Sequence, residues 1–260
     1  MRNFTLRKGF LGSKCGTRSS FKGFVMLVVM MLMMASSAMA EVIDGLRYVL
    51  DSETKTATLL PKMEGKYSGD IIVPEKVKGN DGIEYVVISL GESFSSCSSL
   101  TSITIPSSVT SLGWHCFSGC SSLTSITIPS SVTSLGKNCF SHCSGLTSIT
   151  IPSSVTSLGD ECFKDCSGLT SITIPSSVTS LSGYCFSGCS SLTSITIPSS
   201  VTSIGDEAFS LCWRLTSIYV YMKKLPELGT DIFNGCDAKN CTVYVPKGTY
   251  DDYWLSEFGK

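Results

Sequence analysis

The seven residues Leu100-Thr101-Ser102-Ile103-Thr104-Ile105-Pro106 return at Leu123, Leu146, Leu169 and Leu192, 23 residues apart each time. Self-similarity at a fixed period of this length marks a solenoid, in which one small structural unit stacks on the next. A sixth start at Leu215 keeps Leu, Thr, Ser and Ile218 before it diverges into Tyr219-Val220-Tyr221. Upstream, Phe94 and Cys97 stand one period ahead of Phe117 and Cys120. Five full coils are thus flanked by two degenerate ones.

Within a coil, Ile103 and Ile105 alternate with Ser102 and Thr104, the period of a strand with one buried face. Pro106 cannot donate to a ladder, so it is expected to end that strand. Val109 to Leu112 return the chain across the other side, where a second short strand fits. Cys116, Phe117 and Cys120 have the spacing of one inward-facing helical turn. A single coil cannot offset the entropy of ordering its 23 residues. Stacking is therefore required, with like residues forming ladders about 4.8 Å apart. The expected fold is a right-handed parallel solenoid, mostly β: a curved sheet on one side, short helical turns or irregular coils on the other, and capped ends.

The residue order resembles the leucine-rich repeat, and most closely its bacterial BspA-type variety. The family's coil is met here by Leu192, Ile195, Ile197, Pro198, Val201, Ile204, Gly205, Ala208, Phe209 and Cys212. The likeness covers about residues 42 to 260. Gly45 to Tyr48, Ile72 to Pro74 and Tyr85 to Val87 are similar to the family's entry segment; Val243 to Gly248 with Tyr250, Tyr253, Trp254 and Phe258 are similar to its exit cap. One departure is consistent: Cys116, Cys139, Cys162 and Cys185 stand where the family has the small residue seen as Ala208. The organisation read from the chain is a leader over 1–40, an entry segment with a degenerate first coil over 41–99, five repeats over 100–214, and a degenerate coil with cap over 215–260.

The leader rests on order. Arg2, Arg7, Lys8, Lys14, Arg18 and Lys22 precede the apolar run Phe24 to Met34, which leads to Ala38-Met39-Ala40. This is the pattern of a cleavable signal peptide, with the cut placed after Ala40. An uncleaved anchor is the competing reading, but the run falls short of the roughly 20 residues that span a bilayer. No later stretch is long and apolar enough, so the mature chain is expected to lack a membrane span and to be secreted or held at the cell surface. Taking six of the 20 basic residues away leaves 14 against 21 acidic ones, a formal charge of −7. That balance argues against nucleic acid, which is held mainly through Lys and Arg.

Thirteen cysteines in an exported chain suggest disulfides, yet eight of them stand as pairs four apart on one turn in four of the five coils. Pairs so placed fit disulfide geometry poorly and are read as buried free thiols that stack from coil to coil, with coil-to-coil disulfides as the rival. Cys236 and Cys241 are the better disulfide candidates. Zinc sites need a second complete pair and a tight knuckle, so no metal and no cofactor is expected. His115 and His142 occupy different phases of different coils, in turn positions expected to face solvent. No paired carboxylates, phosphate-cradling glycine loop or nucleotide fingerprint is present, and no enzymatic activity is expected.

The candidate partner-binding residues are the outward rows of the strand, Ser102, Ser125, Ser148, Ser171 and Ser194 beside Thr104, Thr127, Thr150, Thr173 and Thr196. Trp213, Tyr219 and Tyr221 at the exit end join them. Ser and Thr also stack as plain ladders on exposed strands, which is the structural alternative. Curved solenoids present extended binding surfaces, and the resemblance implies adhesion to host extracellular proteins. The expected function is an exported binding module, an adhesin for an extracellular protein or glycan. A spacer without a ligand is the alternative, with ice binding a remote third, and the oligomeric state is left open. Chemical variety between coils falls after the glycine, at Trp114 and His115, Lys137 and Asn138, Asp160 and Glu161, Tyr184, and Asp206 and Glu207.

Overall fold

The computed structural model describes residues 40–237, 239–249 and 251–252. Except for Ala40, the expected leader lies outside the described residues, as do Tyr250, Tyr253, Trp254 and Phe258 of the expected exit cap.

The chain enters through β1 (Ala40–Ile43), β2 (Leu46–Asp51), β3 (Thr56–Leu60), β4 (Gly69–Ile72), β5 (Lys76–Lys78) and β6 (Glu84–Ser89). Asp44 and Gly45 take φ of 50° and 79°, the primed turn that suits the twist of a two-residue hairpin, and β1 and β2 pair antiparallel across it. Five of these strands form a sheet in the order β1-β2-β3-β6-β5. Its buried side carries Tyr48 and Tyr85, and Tyr67 packs into the same core. The Tyr67 ring lies 5.4 Å from Phe94, while its hydroxyl accepts the Arg47 N–H and donates to the Leu60 carbonyl. A ring with a satisfied polar tip thus closes the first coil.

β4 pairs in parallel with β7 (Leu100–Thr104), which opens the strand wall. Strands Ser125–Thr127, Ser148–Thr150, Ser171–Thr173, Ser194–Ile197, Ser217–Val220 and Thr242–Tyr244 continue it as a six-stranded parallel sheet. Register is like on like: Ser148 faces Ser125 and Ser171, and Ile149 faces Ile126 and Ile172. The return strand also forms, as two-residue pieces such as Ser111–Leu112 and Ser134–Leu135.

The third side differs from the helical turn that the Cys and Phe spacing suggests. No helix is found in the coils among the described residues; each carries linked turns, as where Cys120 N–H meets the Phe117 carbonyl three residues back. Two positions per coil take positive φ. One row is His115, Asn138, Glu161, Tyr184, Glu207 and Asp231; the other is Ser96, Gly119, His142, Asp165, Gly188, Leu211 and Gly235. These left-handed residues turn backbone groups along the solenoid, so that His115, Phe117 and Gly119 donate to Lys137, Cys139 and Ser141 of the next coil. A β-branched residue tolerates this conformation worst. Gly119→Val should therefore cost about 2 kcal/mol and Gly119→Asn only a few tenths, as read from denaturation midpoints.

Phe94, Phe117, Phe140, Phe163, Phe186, Phe209 and Phe233 stack through the interior at 5.3 to 5.6 Å between centroids. Beside them run two cysteine columns. All twelve described cysteines are free, including Cys236 and Cys241, the better disulfide candidates of the sequence. One column of these thiols makes a recurring hydrogen bond to the backbone of the preceding coil. Cys143 Sγ donates to the Phe117 carbonyl at 3.1 Å, while Phe117 N–H donates to the Cys139 carbonyl at 2.8 Å. The next coil thereby clamps each phenylalanine backbone from both sides. Cys236 makes the same bond to Phe209 at 3.2 Å. Burial pushes these thiols well above their ordinary range, so they act as neutral donors in an apolar stack.

Candidate functional site: the hydroxyl face of the strand wall

Alternation sends Ile126, Ile149 and Ile172 inward and leaves Ser125, Thr127, Ser148, Thr150, Ser171 and Thr173 exposed. Ser102, Thr104 and Thr196 are exposed as well, and Ser194 is half-buried. The structure thus brings all ten row residues onto one wall. Side rows are engaged within the protein: Ser131, Ser154 and Ser177 donate to Val109, Val132 and Val155 carbonyls, and Thr147 and Thr170 to Thr124 and Thr147. Of the ten central hydroxyls, only Ser102 is held among the described residues, donating to Asp70 at 2.6 Å. With Thr101 bonding the same oxygen, Asp70 is held below the usual carboxylate range and marks the entry end of the serine row.

At the exit end the threonine row runs into tyrosines, because Tyr219 pairs with Thr196 on one side and Tyr244 on the other. Their rings stack at 4.7 Å and 9°, with Tyr219 38% and Tyr244 48% exposed. Tyr244 was not singled out in the sequence; the fixed register of Val243 and Tyr244 under Ile218 and Tyr219 is what places it. Tyr221 follows the strand and is 60% exposed. Trp213, also well exposed, sits in the turn ahead of the strand, outside both rows.

The variable turn positions hold one another. Lys137 and Lys164 reach Glu161 at 3.4 and 3.2 Å, and Asn138 donates to it at 3.3 Å. Burial raises the Glu161 carboxyl, but these partners outweigh it and hold it below its ordinary value. Tyr184 donates to Glu207 at 2.8 Å, which pushes its own hydroxyl up. Asn138 is buried, so this row does not simply face solvent as expected. His142 stands 3.4 Å from Asp165, and His115 lies against Trp114 in another row. Among the described residues no group of three or more His, Cys, Asp or Glu is placed to hold a metal ion, and no helix is long and apolar enough to cross a membrane.

The family model for the BspA type leucine rich repeat region matches residues 86–189 and 134–251, with six copies. The chain belongs to the BspA-type leucine-rich repeat family. Solved leucine-rich repeat proteins are similar to it over most of its length. A leucine-rich repeat protein from Bacteroides ovatus is 24% identical, with 79% of this chain and 70% of that one covered and a TM-score of 0.59. The T. pallidum leucine-rich repeat protein is 24% identical, with coverages of 83% and 94% and a TM-score of 0.63. A leucine-rich cell surface protein from Faecalibacterium prausnitzii is also 24% identical, with coverages of 82% and 77% and a TM-score of 0.50. No curated protein matches the chain. Leucine-rich repeat proteins of this family and fold are generally non-enzymatic.

Proposed function

We propose that this BspA-type protein is exported by its leader to the cell exterior and acts there as a binding module, an adhesin that grips an extracellular protein or glycan through the strand wall. The observation that supports this is the pair of rows of outward hydroxyls, all but Ser102 without partners among the described residues, ending in exposed tyrosines. Recognition concentrates in a few residues, tyrosine prominent among them, so Tyr219 and its exposed neighbours are the expected anchors and the hydroxyl rows supply the surrounding polar contacts. The side rows, by contrast, are occupied in holding coil to coil.

The test is binding of the purified protein to arrays of extracellular-matrix proteins and glycans at physiological salt. Saturable binding to a few members is expected. Ser148→Lys combined with Thr150→Lys places two charges on an exposed wall without touching the core. It should weaken that binding roughly 100-fold, through charges desolvated against a partner that offers them no counter-ion. Unchanged affinity would move the site off this wall, and no binding to any member would favour a spacer role.

A further inference from the structure

We infer that the exit half of the strand wall is a binding site for an uncharged polysaccharide, with a sugar ring seated on Thr196 and Ser194 against the face of Tyr219. This rests on the reading of the wall as a binding surface and specifies its ligand.

Three observations lead there. Tyr219 and Tyr244 are separated by 4.7 Å at 9°, which matches the spacing between paired strands, so the rings stack along the solenoid axis. One face of Tyr219 therefore looks back over the next strand, where its partner in the row is the much smaller Thr196. The result is a step, with a flat aromatic riser above a tread of Thr196, Thr173 and Thr150. An aromatic face is electronegative and attracts the C–H groups on one side of a pyranose ring.

Thr150, Thr173 and Thr196 are exposed, with no hydrogen bond to their hydroxyls among the described residues, each able to donate once and accept twice. A ligand that itself presents alternating donors and acceptors at every ring can use them in either sense; a peptide backbone offers only one of each per residue. Successive hydroxyls repeat at the strand spacing of about 4.8 Å, so sugar units beyond the one held on Tyr219 find further hydroxyls along the tread.

Charge selects among glycans. Strands Ser125–Thr127 to Ser217–Val220 contain no Lys, Arg, Asp or Glu, so sulfated or carboxylated chains find no counter-ion on the wall. Asp70, at the far entry end, adds only repulsion for an anion.

The experiment is calorimetry and affinity electrophoresis of the full protein with soluble β-glucan, mannan, xylan and, as the charged control, heparin. Binding to at least one neutral polymer and not to heparin is expected. Tyr219→Ala should weaken it at least about tenfold; because that change touches a packed ring, Thr150→Val, Thr173→Val and Thr196→Val together serve as the second variant. Those keep shape and β-propensity, remove only hydroxyls, and should also weaken binding about tenfold. Neutral-polymer binding insensitive to both variants, or preference for heparin, overturns the site. Binding to matrix proteins without any polysaccharide overturns the ligand class while leaving the binding-module reading intact. Ice shaping without polysaccharide binding overturns it too, since the same hydroxyl rows would then be ordering water.

Discussion

Raising the pH from about 8 to 10.5 is expected to unfold the solenoid in one steep transition, reversed on return to neutral pH under reducing conditions. Ten cysteines are buried in the stacked interior. Burial raises each of these thiols above the ordinary value of 9.0. Below pH 9 both folded and unfolded chains hold the protons and the thiols contribute nothing to the slope. Above it the unfolded chain loses them while the folded one does not, so stability falls until the raised folded values are reached. Each thiol contributes about 1.4 kcal/mol per pH unit in that window. Ten acting together reach about 14 kcal/mol per unit, comparable to the 5–15 kcal/mol by which domains are ordinarily stable. Circular dichroism against pH measures it, and an unfolding midpoint above about pH 11.5 would contradict the picture of neutral, proton-holding columns. Half-buried Cys236, raised to about 11, and Cys241 should be the first to react with an alkylating reagent in the folded state.

Cutting the aromatic column should be the most damaging single change. Phe163 is wholly buried, with Phe140 at 5.5 Å and Phe186 at 5.4 Å. Phe163→Ala removes contacts on both sides, and neither neighbour can collapse into the gap without breaking the backbone bonds that hold its coil. A loss of about 3–5 kcal/mol is expected. For a chain of this size that lowers Tm by roughly 10 °C. Because coils depend on their neighbours alone, proteolysis of the variant should begin near this coil rather than at the ends. A Tm within about 2 °C of the unmodified protein would show the column to be dispensable.

The walls and the core were legible in the sequence because each rested on a period. Alternation of Ser102, Ile103 and Thr104 fixed which side chains point out, and the strict repeat fixed that like would meet like, so the rows of the candidate site follow directly. Free thiols followed from Cys116 and Cys120 being too close on one turn to bridge. What stayed hidden was carried by the backbone. A row with left-handed φ announces itself when it holds glycine, as Gly119, Gly188 and Gly235 do, but Leu211 and Asp165 occupy the same row. The other row has Glu161, Tyr184 and Glu207 and no glycine at all, and its backbone N–H groups bond to the next coil. The helical turn expected around Phe117 failed for this reason: three apolar positions on one turn also suit linked turns whose N–H groups point along the axis. The Tyr219–Tyr244 stack was half visible, since Tyr244 lies in a cap that has lost the period.

The like-on-like register also bears on the length of the molecule. Each coil meets its neighbour through the same phenylalanine, cysteine, serine and threonine positions, so excising residues 146–168 would set Leu169 where Leu146 stood and leave every column continuous. Nothing elsewhere in the chain needs to change to accommodate a coil more or less. The gene can therefore lengthen or shorten the exposed wall in steps of one strand by simple duplication or loss of 69 bases, three for each of the 23 residues. Reach and the number of ligand contacts become a quantity that such events adjust without passing through an unstable intermediate, and avidity for a repetitive partner rises with each added step.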